Sequence, residues 1–309
     1  MLHLDAEQVA ARLERGPLID ALARAFRSEY QAPARQHYAV GDSQHAQNTL
    51  LIMPAWQPGG CIGVKLVTVF PSNAALGQTA VQATYALFDA KTGMPVAVLD
   101  GTELTRRRTA AASALAARYL AHPEASRLLM VGTGALAQHV IESHAAVRTI
   151  KSVRVWGRRL ERATAVARKF AAGPYDVEAV ADLEAAVRWA DIISCATLAE
   201  TPLVQGAWLC PGQHLDLIGS FTPKMREADD AALTRASIYV DTRVGALAES
   251  GELVHGLATG VITAASIRGE LSELARGSQR GRRSDKEITL FKSVGSAIED
   301  LAAAELALR

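Results

Sequence analysis

The sequence predicts an α/β chain in two parts, a parallel-sheet region preceded by a separate sheet. Three observations predict it. Residues 127–144 read RLLMVGTGALAQHVIESH, a short apolar run, then Gly132 and Gly134 with Ala137 in the third small position, then a helical pattern. That is a strand, a tight turn and a helix. Beyond it, short apolar runs alternate with helical patterns to about residue 240, which implies parallel strands with crossover helices. Residues 48–99, by contrast, carry strand patterns with only turns between them.

Asp5 is placed to cap a helix whose apolar positions Val9, Leu13, Leu18, Leu22 and Phe26 recur near helical spacing, interrupted at Gly16-Pro17. Two short helices are expected there. Strands follow at 50–53, 63–69 and 80–88, then a turn over 89–93 and a strand at 95–99. Thr105–Leu120 is Ala-rich and helical. After the glycine turn and its helix, Val153–Trp156 reads as a second strand, Arg162–Phe170 and Leu183–Trp189 as helices, and Ile192–Cys195, Leu215–Ile218 and Ile238–Val240 as short buried strands. Arg276–Arg283 reads as a solvated basic loop. Phe291–Leu308 reads as a helix.

The glycine turn carries chemistry. Gly132 permits the turn, Gly134 lets backbone approach a pyrophosphate, and a small residue at 137 lets helix pack on strand. The helix N-terminus then offers unpaired N–H groups to phosphate. At the end of the second strand an NAD-specific site usually has Asp or Glu for the ribose 2′-OH, and here the chain has Gly157-Arg158-Arg159. Two guanidiniums suit a 2′-phosphate, which they grip with forked, charge-assisted hydrogen bonds. NADPH is therefore the expected cofactor, with NADH the weaker alternative. As mere openers of the next helix, the same cations would oppose its dipole.

Composition narrows the field. The 309 residues suggest about two domains, and 49% apolar content is ample for sizeable cores. A formal net charge of +1 offers no long-range field for nucleic acid or an anionic membrane. The widely spaced Cys61, Cys195 and Cys210 suggest neither a disulfide framework nor a metal site. The first residues, MLHLDAEQVAARLERG, carry acids early and lack a basic region followed by a long apolar stretch, and no run approaches the ~20 apolar residues of a membrane helix. A cytoplasmic protein is expected.

The chain resembles the ornithine cyclodeaminase/mu-crystallin family from end to end. The likeness runs through GVKLVTVFPSN (63–73), LFDAKTGMPVAVLDGTELTRRRTAAASALAARYL (87–120), VGTGALAQ (131–138), PKMREAD (223–229) and ITLFKSVGSAIEDLAAAELA (288–307). It implies a Rossmann domain, taken here as 117–288, inserted into an α+β domain of 1–116 plus 289–309 that binds substrate and forms a homodimer. It also carries residue roles. Lys65 and Arg108 match the lysine and the R-T-A-A arginine that hold the substrate carboxylate, and Arg35 matches a third ligand of it. A lysine in an apolar strand pattern makes sense if it meets an anion, although alternation alone would also let Lys65 face outward. The forked guanidinium fixes the carboxylate plane and the ammonium neutralises it. Thr109, Gly134, Leu136, Arg158, Arg159, Ala196 and Thr197 fall on the cofactor side, with Ser293 in the nicotinamide region. Glu249 matches a ligand-pocket glutamate of the mu-crystallin branch, its other reading being a solvent-facing helix acid.

One departure directs the choice of reaction. Ornithine cyclodeaminases have an aspartate aligned with Phe221, and a phenyl ring neither accepts a proton nor binds an ammonium through a carboxylate. The expected activity is NADPH-dependent reduction of a small cyclic imine carboxylate: Δ1-pyrroline-2-carboxylate to L-proline, and Δ1-piperideine-2-carboxylate to L-pipecolate as a further substrate. Phe221 would close an apolar wall over the ring. Two alternatives stand beside it: an ornithine cyclodeaminase or alanine dehydrogenase-like activity, and a non-catalytic NADPH-dependent binder of a small ligand.

Overall fold

The computed structural model describes residues 1–41 and 48–309. The chain divides into two compact units, residues 1–109 with 296–309, and residues 110–295.

The first unit begins with β1 (Leu2–Leu4), α1 (Ala6–Arg12) and α2 (Arg15–Arg27). Asp5 caps α1 in a reciprocal box, its side chain accepting from the Gln8 N–H while the Gln8 side chain takes the Asp5 N–H. Gly16-Pro17 falls in the first turn of α2 rather than between the helices, because a proline there forgoes only an N–H that has no helical partner. β2 (Gln36–Ala39), β3 (Thr49–Trp56), β4 (Cys61–Val69), β5 (Val81–Asp89) and β6 (Pro95–Asp100) then build a sheet of order β1-β6-β5-β4-β3-β2. All neighbours are antiparallel except β1 and β6. Along β4 the residues alternate, Gly63, Lys65 and Val67 buried, Ile62, Val64 and Thr68 half-buried and Leu66 exposed. From β6 the chain enters α3 (Gly101–Leu120), within which the first unit ends.

The second unit continues from α3 through β7 (Arg127–Val131), α4 (Ala137–Ala145), β8 (Ser152–Trp156), α5 (Leu160–Arg168), β9 (Asp176–Val180), α6 (Leu183–Trp189), β10 (Ile192–Cys195) and β11 (His214–Leu217). It closes with α7 (Asp230–Arg235), β12 (Ser237–Val240), α8 (Arg243–Glu249), α9 (Gly251–Ala258), β13 (Ile267–Glu270), α10 (Leu271–Arg276) and β14 (Thr289–Lys292). Its eight strands are parallel, in the order β13-β12-β14-β11-β10-β7-β8-β9. Successive strand residues feed opposite cores. Leu128 and Met130 pack with α4 residues Val140 and Ile141, and Leu129 and Val131 with Ala186 and Val187 of α6. The chain runs outward from β7 to β9 and returns to the other side of β7 at β10, so the order switches between β7 and β10. Ligand crevices of such sheets open at the carboxyl ends of the strands at that switch. The expected α/β fold with a Rossmann-type parallel sheet is borne out.

Three expectations need correction. Residues 291–308 are not one helix: Phe291 and Lys292 lie on β14, a central strand pairing with β11 and β12, and α11 (Ala297–Ala307) starts only after Gly295, whose φ is +84°. For the same reason the second unit runs to residue 295, not 288. It also begins at 110 rather than 117, because Ala110 and Ala117 of α3 sit in the core beneath β7 and β8. The basic stretch at 276–283 is not all solvated. Arg282 is half-buried and donates to the carbonyls of Leu120, Gln213 and Glu287, a clasp that a guanidinium's fork permits. α11 belongs to the first unit, packed on α2, β3 and β4. No helix among the described residues is long and apolar enough to cross a membrane.

Candidate substrate and cofactor sites

Strand alternation turns Lys65 inward, where only 1% of its surface is exposed. A buried ammonium needs an anion. α11 supplies one in Asp300, whose Oδ1 and Oδ2 lie 2.8 and 2.7 Å from Lys65 Nζ. Arg108 on α3, 4% exposed, sends Nε to the same Asp300 Oδ1 at 2.8 Å and Nη1 to Glu299 Oε2 at 2.7 Å. Two expected carboxylate ligands therefore meet at one oxygen atom. Burial and the neighbouring Arg108 charge push the Lys65 pKa down to about 7, against the pull of Asp300. Burial alone would lower the Arg108 value too, but Asp300 and Glu299 outweigh it and hold the guanidinium charged. Asp300 goes the other way: burial would raise its carboxyl, and Arg108 and Lys65 bring it below the usual carboxylate range. Arg35, half-buried before β2, is close enough for its charge to lower the Lys65 pKa further.

Asp300 and Glu299 were not read from the sequence as members of this site. Adjacent acids in the first turn of a helix normally complement its dipole from the solvent side. The available signal was the context, an acid pair running straight into LAAA on a helix too apolar to have an exposed face.

In the second unit, Gly132 has φ +125°, and a Cβ there would lie 2.6 Å from the Ala196 carbonyl oxygen. Only glycine fits. A Cβ on Gly134 would meet nothing within 4 Å, so the exposed turn leaves its backbone open to an approaching group. Leu136 is the N-cap residue of α4, and Ala137 is buried in the core with Met130 and Val155, where a larger side chain would push helix from sheet. Gly157 sits close on Thr133, a Cβ there being 2.6 Å from Thr133 Cγ2. Arg158 and Arg159 follow at the carboxyl end of β8, both exposed, with Arg159 Nε 3.7 Å from Glu161 Oε1. Ala196 and Thr197 follow β10, beside the glycine turn. These features, an open glycine turn ahead of a helix N-terminus and two exposed arginines after the second strand, fit a dinucleotide with its phosphates at α4.

The remaining expected residues are placed as follows. Thr109 is half-buried one position after Arg108 on α3. Phe221 is half-buried in the loop after β11, and Glu249 is half-buried at the end of α8. Ser293 is buried and its hydroxyl is committed to Asp241 Oδ2 at 2.9 Å, an oxygen that also accepts the N–H groups of Val294 and Gly295. Asp241 was missed because a single acid after a strand has no sequence signature of its own.

The sequence matches the ornithine cyclodeaminase/mu-crystallin family over residues 2–308. It is 43% identical over 262 residues to a Δ1-pyrroline-2-carboxylate reductase of Paracoccus denitrificans, 84% of this chain and 83% of that protein. The fold superposes on the Thermococcus litoralis Δ1-pyrroline-2-carboxylate reductase, solved with NADH and L-proline, with TM-score 0.95 and 32% identity over 99% of this chain and 96% of that one. It superposes on an archaeal alanine dehydrogenase dimer with bound NAD with TM-score 0.92 and 30% identity, over 99% and 94% of the two chains.

Proposed function

The chain belongs to the ornithine cyclodeaminase/mu-crystallin family, and from that premise we propose that it is an NADPH-dependent reductase of small cyclic imine carboxylates, foremost Δ1-pyrroline-2-carboxylate, with L-proline as product. The observation that carries this reading is the pairing of two buried cations, Lys65 and Arg108, on one oxygen of Asp300. Arg108 commits two of its five N–H groups to Asp300 and Glu299, so three remain for a further anion, and the Lys65 ammonium, with one N–H on Asp300, has two more. A substrate carboxylate can be held there, with Arg35 adding charge from the rim. The likeness to reductases of the same imine, one of them holding NADH and L-proline, supports the same assignment.

The chemistry asks little else of the side chains. A bound nicotinamide supplies the hydride that adds to the imine carbon. A protonated C=N accepts it readily and becomes the amine without further proton transfer, so the protein's work is to hold the carboxylate and thereby the ring. A phenyl ring at Phe221, where a ring-closing deaminase has an aspartate, leaves no carboxylate for a second amine. Piperideine-2-carboxylate, larger by one methylene, needs the same contacts and is the expected second substrate.

NADPH preference rests on Arg158 and Arg159, which stand where an NAD-specific chain places an acid. Homodimer formation is supported by the outer face of the first unit's sheet. Pro54, Val64, Ala86 and Val98 align across β3, β4, β5 and β6, flanked by the aligned Ile52 and Leu66 and by Trp56, Ile62 and Phe88. A face this apolar, with Leu66 45% exposed, fits a second copy of the chain better than water.

NADPH oxidation by the purified protein should be followed with pyrroline-2-carboxylate, with piperideine-2-carboxylate, and with pyruvate plus ammonia. The cyclic imines should be turned over and pyruvate with ammonia should not. Turnover of pyruvate with ammonia alone would move the assignment to an amino-acid dehydrogenase, and NADPH binding with no turnover at all would make the protein a binder.

A further inference from the structure

Glu227, which lies between β11 and α7 in the chain, is fully buried. Its Oε1 accepts from the Thr197 N–H at 2.7 Å and from the Thr197 hydroxyl at 2.8 Å. Its Oε2 accepts from the Gly219 N–H at 2.7 Å and the Ser220 N–H at 3.3 Å. Thr197 follows β10, and Gly219 and Ser220 follow β11, so one carboxylate ties the carboxyl-terminal loops of two adjacent strands. The spacing has no slack. A Cβ on Gly219 would lie 2.2 Å from both N and O of Thr197. On the far side, the Ala196 carbonyl closes against Gly132, so the turn after β7 and the loops after β10 and β11 stand in register.

Glu227 is itself held in place. Its own N–H donates to Glu252 Oε1 at 2.7 Å, and Glu252 Oε2 accepts the hydroxyls of Ser220 and Ser250 and lies 3.5 Å from Lys292 Nζ. Glu252 and Lys292 are fully buried. Burying so many charged and polar groups is costly unless each is satisfied, and a purely apolar plug would fill the space more cheaply. What a plug could not do is hold two loops at a set distance.

We propose that Glu227 is a positioning residue of the dinucleotide site, setting the distance between the Thr197 loop and the Gly219–Phe221 loop and with it the affinity for the nicotinamide cofactor. The inference rests on the reading of the second unit as the cofactor-binding one. Burial raises the Glu227 carboxyl to about 7, Lys292 opposing and Glu252 reinforcing the rise. The charged or titratable groups around it are Lys292 from β14, Glu252 from α9 and the Cys195 thiol from β10. When Glu227 takes up a proton, one oxygen becomes a donor facing an N–H, and the tie loosens.

The test is NADH titration by fluorescence on the full chain, from about pH 6 to pH 8, with thermal unfolding alongside. NADH is used because it has no 2′-phosphate to titrate. Glu227→Gln keeps the shape but turns an NH2 toward one of the two loops. Its dissociation constant should rise about 10- to 100-fold, one to two hydrogen bonds each worth about a factor of ten. The unaltered protein should bind more weakly as pH falls through about 7, and the Gln variant should lose that dependence. Thr197→Val removes only the hydroxyl and should give a smaller rise, with the double variant no worse than Glu227→Gln. A folded Glu227→Gln protein that binds NADH as tightly as the unaltered one, with the same pH profile, overturns the proposal whatever its unfolding temperature. Should that variant not fold, an unchanged affinity and pH profile in Thr197→Val overturns it. An unaltered protein that binds neither NADH nor NADPH overturns the reading of the second unit, and the proposal with it.

Discussion

Replacing Lys65 with Met retains most of the side-chain length and removes the ammonium from a site where Lys65 is 1% exposed. Two anions lose a partner. Asp300 loses the contacts at 2.8 and 2.7 Å and keeps Arg108, and an incoming substrate carboxylate loses the cation that would neutralise it. A hydrogen bond between charged groups contributes about 1.5–3 kcal/mol, and an uncompensated buried charge costs about 3–5 kcal/mol. Because Arg108 and Arg35 remain, the lower half of that span applies, about 3 kcal/mol in the transition state. At about 1.4 kcal/mol per decade, kcat/KM for pyrroline-2-carboxylate should fall about 100-fold or more. The pH profile adds a second check. With its pKa lowered to about 7, Lys65 is charged below that value and neutral above it, so carboxylate capture should weaken as pH rises through about 7. The stability effect has the opposite sign. Between about 7 and its unfolded value the unfolded chain binds the extra proton, so Lys65's own contribution to stability rises with pH over that window. Steady-state kinetics from pH 6 to 9 read the first effect and urea unfolding the second. A Lys65→Met protein with unaltered kcat/KM and an unaltered alkaline limb would refute the clamp.

Arg158→Ala with Arg159→Ala should weaken NADPH binding while leaving NADH nearly unchanged; each contact is worth about 1.5–3 kcal/mol and exposure favours the low end, so equal losses for both cofactors would remove the 2′-phosphate assignment. Leu66→Glu, placed in the middle of the apolar outer sheet face, should shift the light-scattering mass from two chains toward one, and a protein already at one chain's mass at micromolar concentration would count against the dimer. Asp241→Ala removes the oxygen that accepts the Ser293 hydroxyl and the N–H groups of Val294 and Gly295, the last of which keeps Ser293 Oγ; at about 1–3 kcal/mol for a buried donor that loses its acceptor, the denaturant midpoint should drop, and an unchanged midpoint would show that water replaces the carboxylate without loss. L-Ornithine with NAD or NADP should release no ammonia above background, because Phe221 supplies no carboxylate to pair with its distal ammonium, whereas ammonia release with proline as product would restore ring-closing deamination.

The fold was legible wherever a local pattern matched its element. Leu183–Trp189 and Ile192–Cys195 were bounded to the residue, since the first opens at the Asp182 cap and the second is a short, mostly apolar run opening after Asp191. The C-terminal stretch was not. Phe291 and Lys292 precede an Ala-rich helix with only Gly295 to mark the break, and what makes them a strand is nonlocal, the parallel pairing of β14 between β11 and β12. β1 was missed for a related reason. Three residues with one buried position carry no period, and its register on β6 exists only once the sheet has formed.

The site divides along the same line. Glycines, the Arg158-Arg159 pair and Lys65 could be singled out because each breaks a local rule: positive φ, cations at a helix start, a charge in an apolar strand. Their partners break none. Asp300 and Glu299 look like ordinary N-terminal helix acids, and Glu227 like one charge in PKMREAD, until tertiary packing removes water from them. The physical asymmetry is general to this chain. A buried cation in a strand advertises that it needs an anion but not where the anion comes from, and here it comes from 235 residues away on a helix that ends the chain. That separation also explains why a helix so remote in sequence must return to the first unit. Without α11, Lys65 and Arg108 would be two like charges buried side by side, which no strand or helix propensity could hold together.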